Sequence, residues 1–295
     1  MTKTYANAAA FRQALETRLR TVAQQRGVQI QGLRLKVAIE RLLARLFYDE
    51  NPPWILKGGY AMELRFRPKA RTTRDVDLTL SEAVTPEAVA SKLVAVHEAL
   101  VMATKHDLGD YFEFVIPPAR SELTAALGGG GVFSIVSKVA GRDFARFHID
   151  IGFGDIVLGE PECLPGDDLM AFAGIAPAYA YAIPRAQQFA EKIHAYTFQW
   201  TGRENTRSRD LVDMVLLIER GDLDREETRR AIIATFKHRK RQPLPGKLEL
   251  PPDAWRDEFP PMAHEAGLSV EDIDEAFTAL SEFWNRLLPF DGADA

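Results

Sequence analysis

The stretch WILKGGYAMELRFRPKARTTRDVDLTL, residues 54–80, limits this chain more than any other. It holds an apolar triplet, a glycine pair, a short helical run and a basic segment, and it ends in Asp75-Val-Asp77. From Asp75 to Leu80 polar and apolar residues alternate as in a half-buried strand, with Val76, Leu78 and Leu80 on one face and Asp75, Asp77 and Thr79 on the other. Two carboxylates two residues apart on a strand point the same way and repel each other unless a cation lies between them. Hard oxygen donors of this kind suit Mg²⁺ or Mn²⁺. Gly58 and Gly59 open a helix, where backbone N–H groups can meet a phosphate, and Lys57 just before them adds a point charge. A phosphate cradle beside a metal-binding acid pair is the equipment of phosphoryl or nucleotidyl transfer. The plain alternative is a solvated strand edge.

Asp150, in FHIDIGF, alternates out of phase with Ile149 and Ile151 and so leaves the apolar face, as Asp75 and Asp77 do. If the two strands are neighbours, three carboxylates converge. Farther on, Lys192 lies in a helix that Pro184 opens, and Asp210 and Asp213, at i and i+3, share one face of the helix 207–220. They could orient Lys192, or the incoming base or ribose. Arg207 and Arg209 flank them, although Arg209 and Asp213 could also be a simple helix ion pair. His148 and His194 read as packing or hydrogen-bonding residues. Gly128–Gly131 reads as a turn, since it lacks the lysine and hydroxyl of a phosphate loop.

The pattern along the chain reads as helices at 8–26 and 33–49, a mixed αβ core around 54–155, and an all-helical half. Strands are expected at 54–56, 75–80, 111–116, 132–140 and 144–155, with a helix at 86–103. The segment 161–174 reads as a loop, 242–252 as a proline-rich spacer and 270–287 as a last helix. Two domains follow, 1–165 and 166–295.

Charge is unevenly spread. The net charge is −5, yet residues 253–295 hold eleven acids against Arg256 and Arg286, which leaves +4 on the other 252 residues. Segments 65–74 and 229–241 are basic without an acid, so Arg71, Arg74, Arg239, Lys240 and Arg241, with Arg207 and Arg209, are candidates for polyanion contact. The single cysteine, Cys163, excludes an internal disulfide framework and suits a reducing cytosol. No signal peptide is read in the first residues, and no apolar run reaches the length of a membrane span.

Three motifs in order, LKGGYAMELRF…TRDVDL, QQFAEKIHAYTF (187–198) and TRSRDLVDMVLL (206–217), resemble the AbiEii-type toxins, the toxin half of AbiE and MenAT toxin–antitoxin pairs. The resemblance implies an α+β fold: a polymerase-β-like nucleotidyltransferase core, a mixed sheet flanked by helices, with N-terminal helices and a helical C-terminal half that completes the site. It implies an NTP substrate, Mg²⁺, an RNA acceptor such as the 3′ end of tRNA, blocked translation, and a cognate antitoxin. In that frame Asp75, Asp77, Lys192 and Asp210 are catalytic. Asp75, Asp77 and Asp150 hold metal. Lys57, Gly58, Gly59, Lys192 and Asp213 bind nucleotide. Gly58-Gly59 stands where many nucleotidyltransferases carry Gly-Ser, so backbone amides, Lys57 and Lys192 would take the place of the missing hydroxyl. A monomer working in the cytoplasm is expected. Other acceptors (a protein hydroxyl or a small molecule), γ-phosphate transfer, and a non-catalytic module that binds RNA or antitoxin are the alternatives.

Overall fold

The computed structural model describes residues 5–67, 73, 75–82, 84–123, 128–200, 202 and 205–288. Two compact units emerge, one of residues 1–64, 73–155 and 161–182, the other of 65–72, 156–160 and 183–295.

The first unit is built on one mixed sheet. Its strands are β1 (Ile55–Lys57), β2 (Asp75–Leu80), β3 (Phe112–Val115), β4 (Ser121–Glu122), β5 (Gly130–Val139), β6 (Arg142–Phe153), β7 (Glu162–Pro165) and β8 (Tyr179–Ala182). They lie in the order β3-β5-β6-β2-β1-β8-β7, with β4 on β5. The β5–β6 hairpin forms the long antiparallel centre, and Ala140 and Gly141, both at positive φ, turn it. β2 runs parallel to β6 and antiparallel to β1.

Alternation decides which face of the sheet is covered. Leu56, Val76, Leu78, Phe133, Ile135, Ile149 and Ile151 are all buried. They join one core with α1 (Ala8–Arg26) and α2 (Ile30–Leu46), through Phe11, Leu15, Leu42 and Leu43. α4 (Val89–Ala103) adds Leu93, Val96 and Leu100. The opposite face, at Ser134, His148, Asp150, Asp75 and Asp77, is half-buried or exposed. Arg12 ties α1 to the hairpin through the carbonyls of Val139, Arg142 and Asp143 at 2.8, 2.8 and 3.0 Å.

Some expected boundaries move. The second helix runs 30–46 rather than 33–49; Gly32 lies inside it, and it stops before the Asn51-Pro52-Pro53 that looked like its end. The segment read as a loop, 161–174, contains β7, which pairs with β8. That hairpin is short and buries little beyond Leu164, Ala180 and Ala182, so it leaves almost no periodic signal.

The second unit is helical in its described residues apart from loops: α5 (Arg185–Tyr196), α6 (Ser208–Arg220), α7 (Arg225–Arg239), α8 (Phe259–Ala266) and α9 (Ile273–Leu287). α5 is buried nearly all round, including Gln187, Gln188 and Lys192. α7 and α8 gave no clear sequence signal. α7 buries Thr228, Ala231, Ile232, Thr235 and Phe236, a weakly apolar stripe inside a charged helix. Asp224 caps its N-terminus, accepting the Glu227 N–H at 2.8 Å. No helix among the described residues is long and apolar enough to cross a membrane.

Candidate active site

β2 and β6 are neighbours, and their register pairs Asp75 with His148 and Asp77 with Asp150. Residues paired in register point to the same side of a sheet. Asp75, Asp77 and Asp150 therefore share the face that the helices leave open. β1 brings Lys57 opposite Asp77 on that face, so Lys57, Asp77 and Asp150 form a row across three strands.

The carboxylates influence one another. Asp150 is held above the ordinary carboxylate range, first by burial and then by the negative charge of Asp75, while His148 opposes the shift. Gly58 opens α3 (Gly58–Phe66) with φ +66°, and a Cβ there would lie 1.9 Å from Asp77 Oδ2. The glycine thus gives the Asp77 carboxylate its space. The N-terminus of α3 begins directly beside that carboxylate.

Lys57 is not a loose cation. Its ammonium pairs with Asp155, which also accepts a hydrogen bond from Thr79 Oγ1 at 3.1 Å. Asp155 escaped the sequence reading, and His148 was read only as a packing or hydrogen-bonding residue. The signals were there: His148 lies two residues before Asp150 on the same face, and Asp155 ends the FGD turn. His148 is exposed, with Nδ1 3.4 Å from Ser134 Oγ, so it bonds rather than packs.

A hard divalent cation fits the donor set, which is carboxylate oxygens on one face, where burial and then the charge of Asp75 raise Asp150. Among the described residues, no three His, Cys, Asp or Glu side chains form a ready-made metal cage.

In the helical unit Lys192 is buried and bonds Asp210 at 3.0 Å and Asp213 at 2.7 Å. Arg207 reaches the other oxygen of Asp210 at 3.3 Å. Burial pushes the Asp210 carboxyl up, but Lys192 and Arg207 outweigh it and hold the group below its usual range. Asp210 and Asp213 thus both bond the lysine from one face of α6. Arg207 also lies over the Trp200 ring at 6.0 Å. Arg209 is exposed. Arg239 approaches Glu191 at 3.6 Å, and Lys240 and Arg241 are exposed. His194 is buried, and desolvation, with Arg239 and Arg241, lowers its pKa to about 4, so it is neutral at pH 7. Arg71 and Arg74 lie outside the described residues.

Comparison with known proteins gives the family and the fold. Residues 41–281 match the family described as nucleotidyl transferase AbiEii toxin, type IV toxin–antitoxin system. No curated protein matches the chain. Among solved structures the chain is similar to MenT4, a nucleotidyltransferase toxin of Mycobacterium tuberculosis, with TM-score 0.59 and 15% identity over 89% of this chain and 85% of that one. A putative nucleotidyltransferase from H. pylori matches at TM-score 0.43 and 12% identity, over 88% and 94%. An antigenic nucleotidyltransferase-like protein from Paracoccidioides brasiliensis matches at TM-score 0.35 and 16% identity, over 70% and 89%. The MenT4 likeness is one of fold, and it is the α+β nucleotidyltransferase fold expected from the motifs. With the family profile spanning most of its length, the chain belongs to the AbiEii nucleotidyltransferase toxins of type IV toxin–antitoxin systems.

Proposed function

We propose that this toxin transfers a nucleoside monophosphate from an NTP to the 3′ end of an RNA, above all a tRNA, and thereby blocks translation. The observation that carries the reading is the register of β2 on β6, with Asp77 beside Asp150 and Asp75 on the same face. Asp75 and Asp77, with Asp150 as a third ligand, would hold Mg²⁺ or Mn²⁺, which when bound neutralises charge at the α-phosphate and acidifies the attacking hydroxyl. Asp150 takes the proton of the 3′-hydroxyl. The oxygen bonds to the α-phosphorus in line, the bond to the β-phosphate bridging oxygen breaks, and pyrophosphate leaves. The N–H groups of Gly58 and Gly59 receive phosphate oxygens at the start of α3. Lys57, tied to Asp155, contributes its charge from a fixed position.

Lys192 serves the same reaction by offsetting charge on the leaving pyrophosphate. Asp210 aims it, and Asp213 helps to hold the nucleotide. Arg71, Arg74, Arg207, Arg209, Arg239, Lys240 and Arg241 would meet RNA phosphates. The protein acts in the cytoplasm as a monomer, held in check by a cognate antitoxin.

The test is incubation with each α-³²P NTP, Mg²⁺ and total RNA, followed by a denaturing gel. The expected result is a labelled RNA band that Asp75→Asn and Asp77→Asn reduce to background while their melting curves stay cooperative. Transfer retained by Asp77→Asn rejects the assignment. Label arriving from the γ position instead identifies a phosphotransferase.

A further inference from the structure

α1 and α2, which cover the sheet face opposite the carboxylates, help to frame a cavity. Its volume is about 530 Å³, and its lining includes Phe11, Phe47, Tyr48, Tyr111, Tyr179 and Arg41. That size falls in the usual range for small-molecule sites, and such sites combine an apolar lining with a few placed polar groups. Two of the aromatic side chains, Tyr48 and Tyr179, are largely exposed, at 59% and 55%. Tyr111 holds a positive φ of 59°, a strained conformation for a bulky residue. Its hydroxyl donates to the carbonyl of Tyr5 at 2.9 Å.

The polar group is Arg41, only 4% exposed. Its Nε donates to Asp110 Oδ2 at 2.7 Å and its Nη1 to the Ala176 carbonyl at 3.3 Å. Nη2 has no hydrogen-bond partner among the described residues. Asp110 does not need this arginine. Arg45 already donates to both of its oxygens, Nη1 to Oδ2 at 2.8 Å and Nη2 to Oδ1 at 2.6 Å, and the Phe112 N–H adds a third bond at 3.0 Å. Two buried guanidiniums thus face one buried carboxylate. The surplus positive charge borders the cavity, and an uncompensated buried charge is costly unless something pairs with it. Asp107, near the rim, is exposed and accepts the Gly109 N–H at 2.9 Å, so it is spent in solvent.

We propose that this cavity binds a small aromatic monocarboxylate, its carboxylate on Arg41 Nη2 and its ring against the tyrosine and phenylalanine lining. One surplus charge matches a monoanion. A dianionic phosphate would overshoot it. The site is separate from the nucleotidyl-transfer face, and its test does not depend on transfer activity.

The test titrates the full chain with indole-3-acetate, 4-hydroxyphenylacetate and benzoate, each beside its primary amide, by ligand-observed NMR and calorimetry. At least one acid should bind saturably, one per chain, with its amide at least tenfold weaker. Arg41→Gln should erase that preference and keep a cooperative melt, since Arg45 still satisfies Asp110. Ala44→Leu narrows the cavity from α2 and should weaken acid and amide alike. No binding by any acid overturns the proposal, as does equal binding of acid and amide. Binding untouched by Ala44→Leu places the ligand elsewhere and overturns it even if Arg41→Gln does not fold.

Discussion

Gly58 carries two constraints at one position. Its φ of +66° costs a residue with a Cβ about 1–3 kcal/mol, and that Cβ would lie 1.9 Å from Asp77 Oδ2. Gly58→Ala must therefore both strain the backbone and displace the Asp77 carboxylate. The melting temperature should fall by a few degrees, and transfer measured well below the melt should fall much further. A variant that is destabilised yet transfers at the wild-type rate would separate this glycine from the carboxylate site. The glycine pair and the Asp75–Asp77 alternation were legible because both are local: a turn needs glycine, and a strand repeats every two residues. The partner of Lys57 was not legible. Asp155 lies 98 residues away, and only the pairing of β1, β2 and β6 brings the two side chains together. Asp150 stood between these cases, since its direction could be read from alternation but its neighbour depended on strand order.

At the scale of elements, α5 and α6 are clasped by charge. Lys192 is buried against Asp210 and Asp213, and removing one partner of such a group strands the others. Lys192→Met should cost about 3–5 kcal/mol as well as activity. Its loss of transfer is interpretable only at a temperature where the variant stays folded. Adding Asp213→Asn should restore part of the stability, because Arg207 remains for Asp210 and one uncompensated charge is gone. The pH dependence follows from the direction of the Asp210 shift. Its folded pKa lies below the ordinary value of 3.8, so it stabilises the wild type above that pH and loses the effect as pH falls through the depressed value. The gap between wild type and Lys192→Met should therefore narrow in acid, as read by chemical unfolding at pH 7 and near pH 3. A constant gap would mean that Asp210 is not the coupled group. The i, i+3 spacing exposed this clasp in the sequence. Where spacing was hidden, the elements were missed. α7 packs through threonine, alanine and one phenylalanine, and β7–β8 is too short for alternation to register.

At the scale of the whole chain, charge is the property that no single element displays. Residues 253–295 carry −9 of a net −5. They look like a detachable acidic tail, but 253–288 is structural. Ile273, Ala276, Leu280, Trp284 and Leu287 of α9 are buried, and α9 packs on α6 within the helical unit. Deleting the segment would open that unit's core rather than reveal an electrostatic role. The charge must be changed in place. Glu271, Glu275 and Glu282 are exposed, and a triple substitution to glutamine removes three negative charges from the surface without touching buried atoms. A polyanion is repelled by those charges over roughly a Debye length, about 10 Å at 0.1 M salt. RNA affinity of the triple variant should rise severalfold at low ionic strength, and the gain should fade as salt screens it, while the melting temperature barely moves. Filter binding across a salt series measures this directly. Equal affinity at the lowest salt would show that the acidic helices keep no nucleic acid at a distance and that the basic segments meet their phosphates out of reach of this charge.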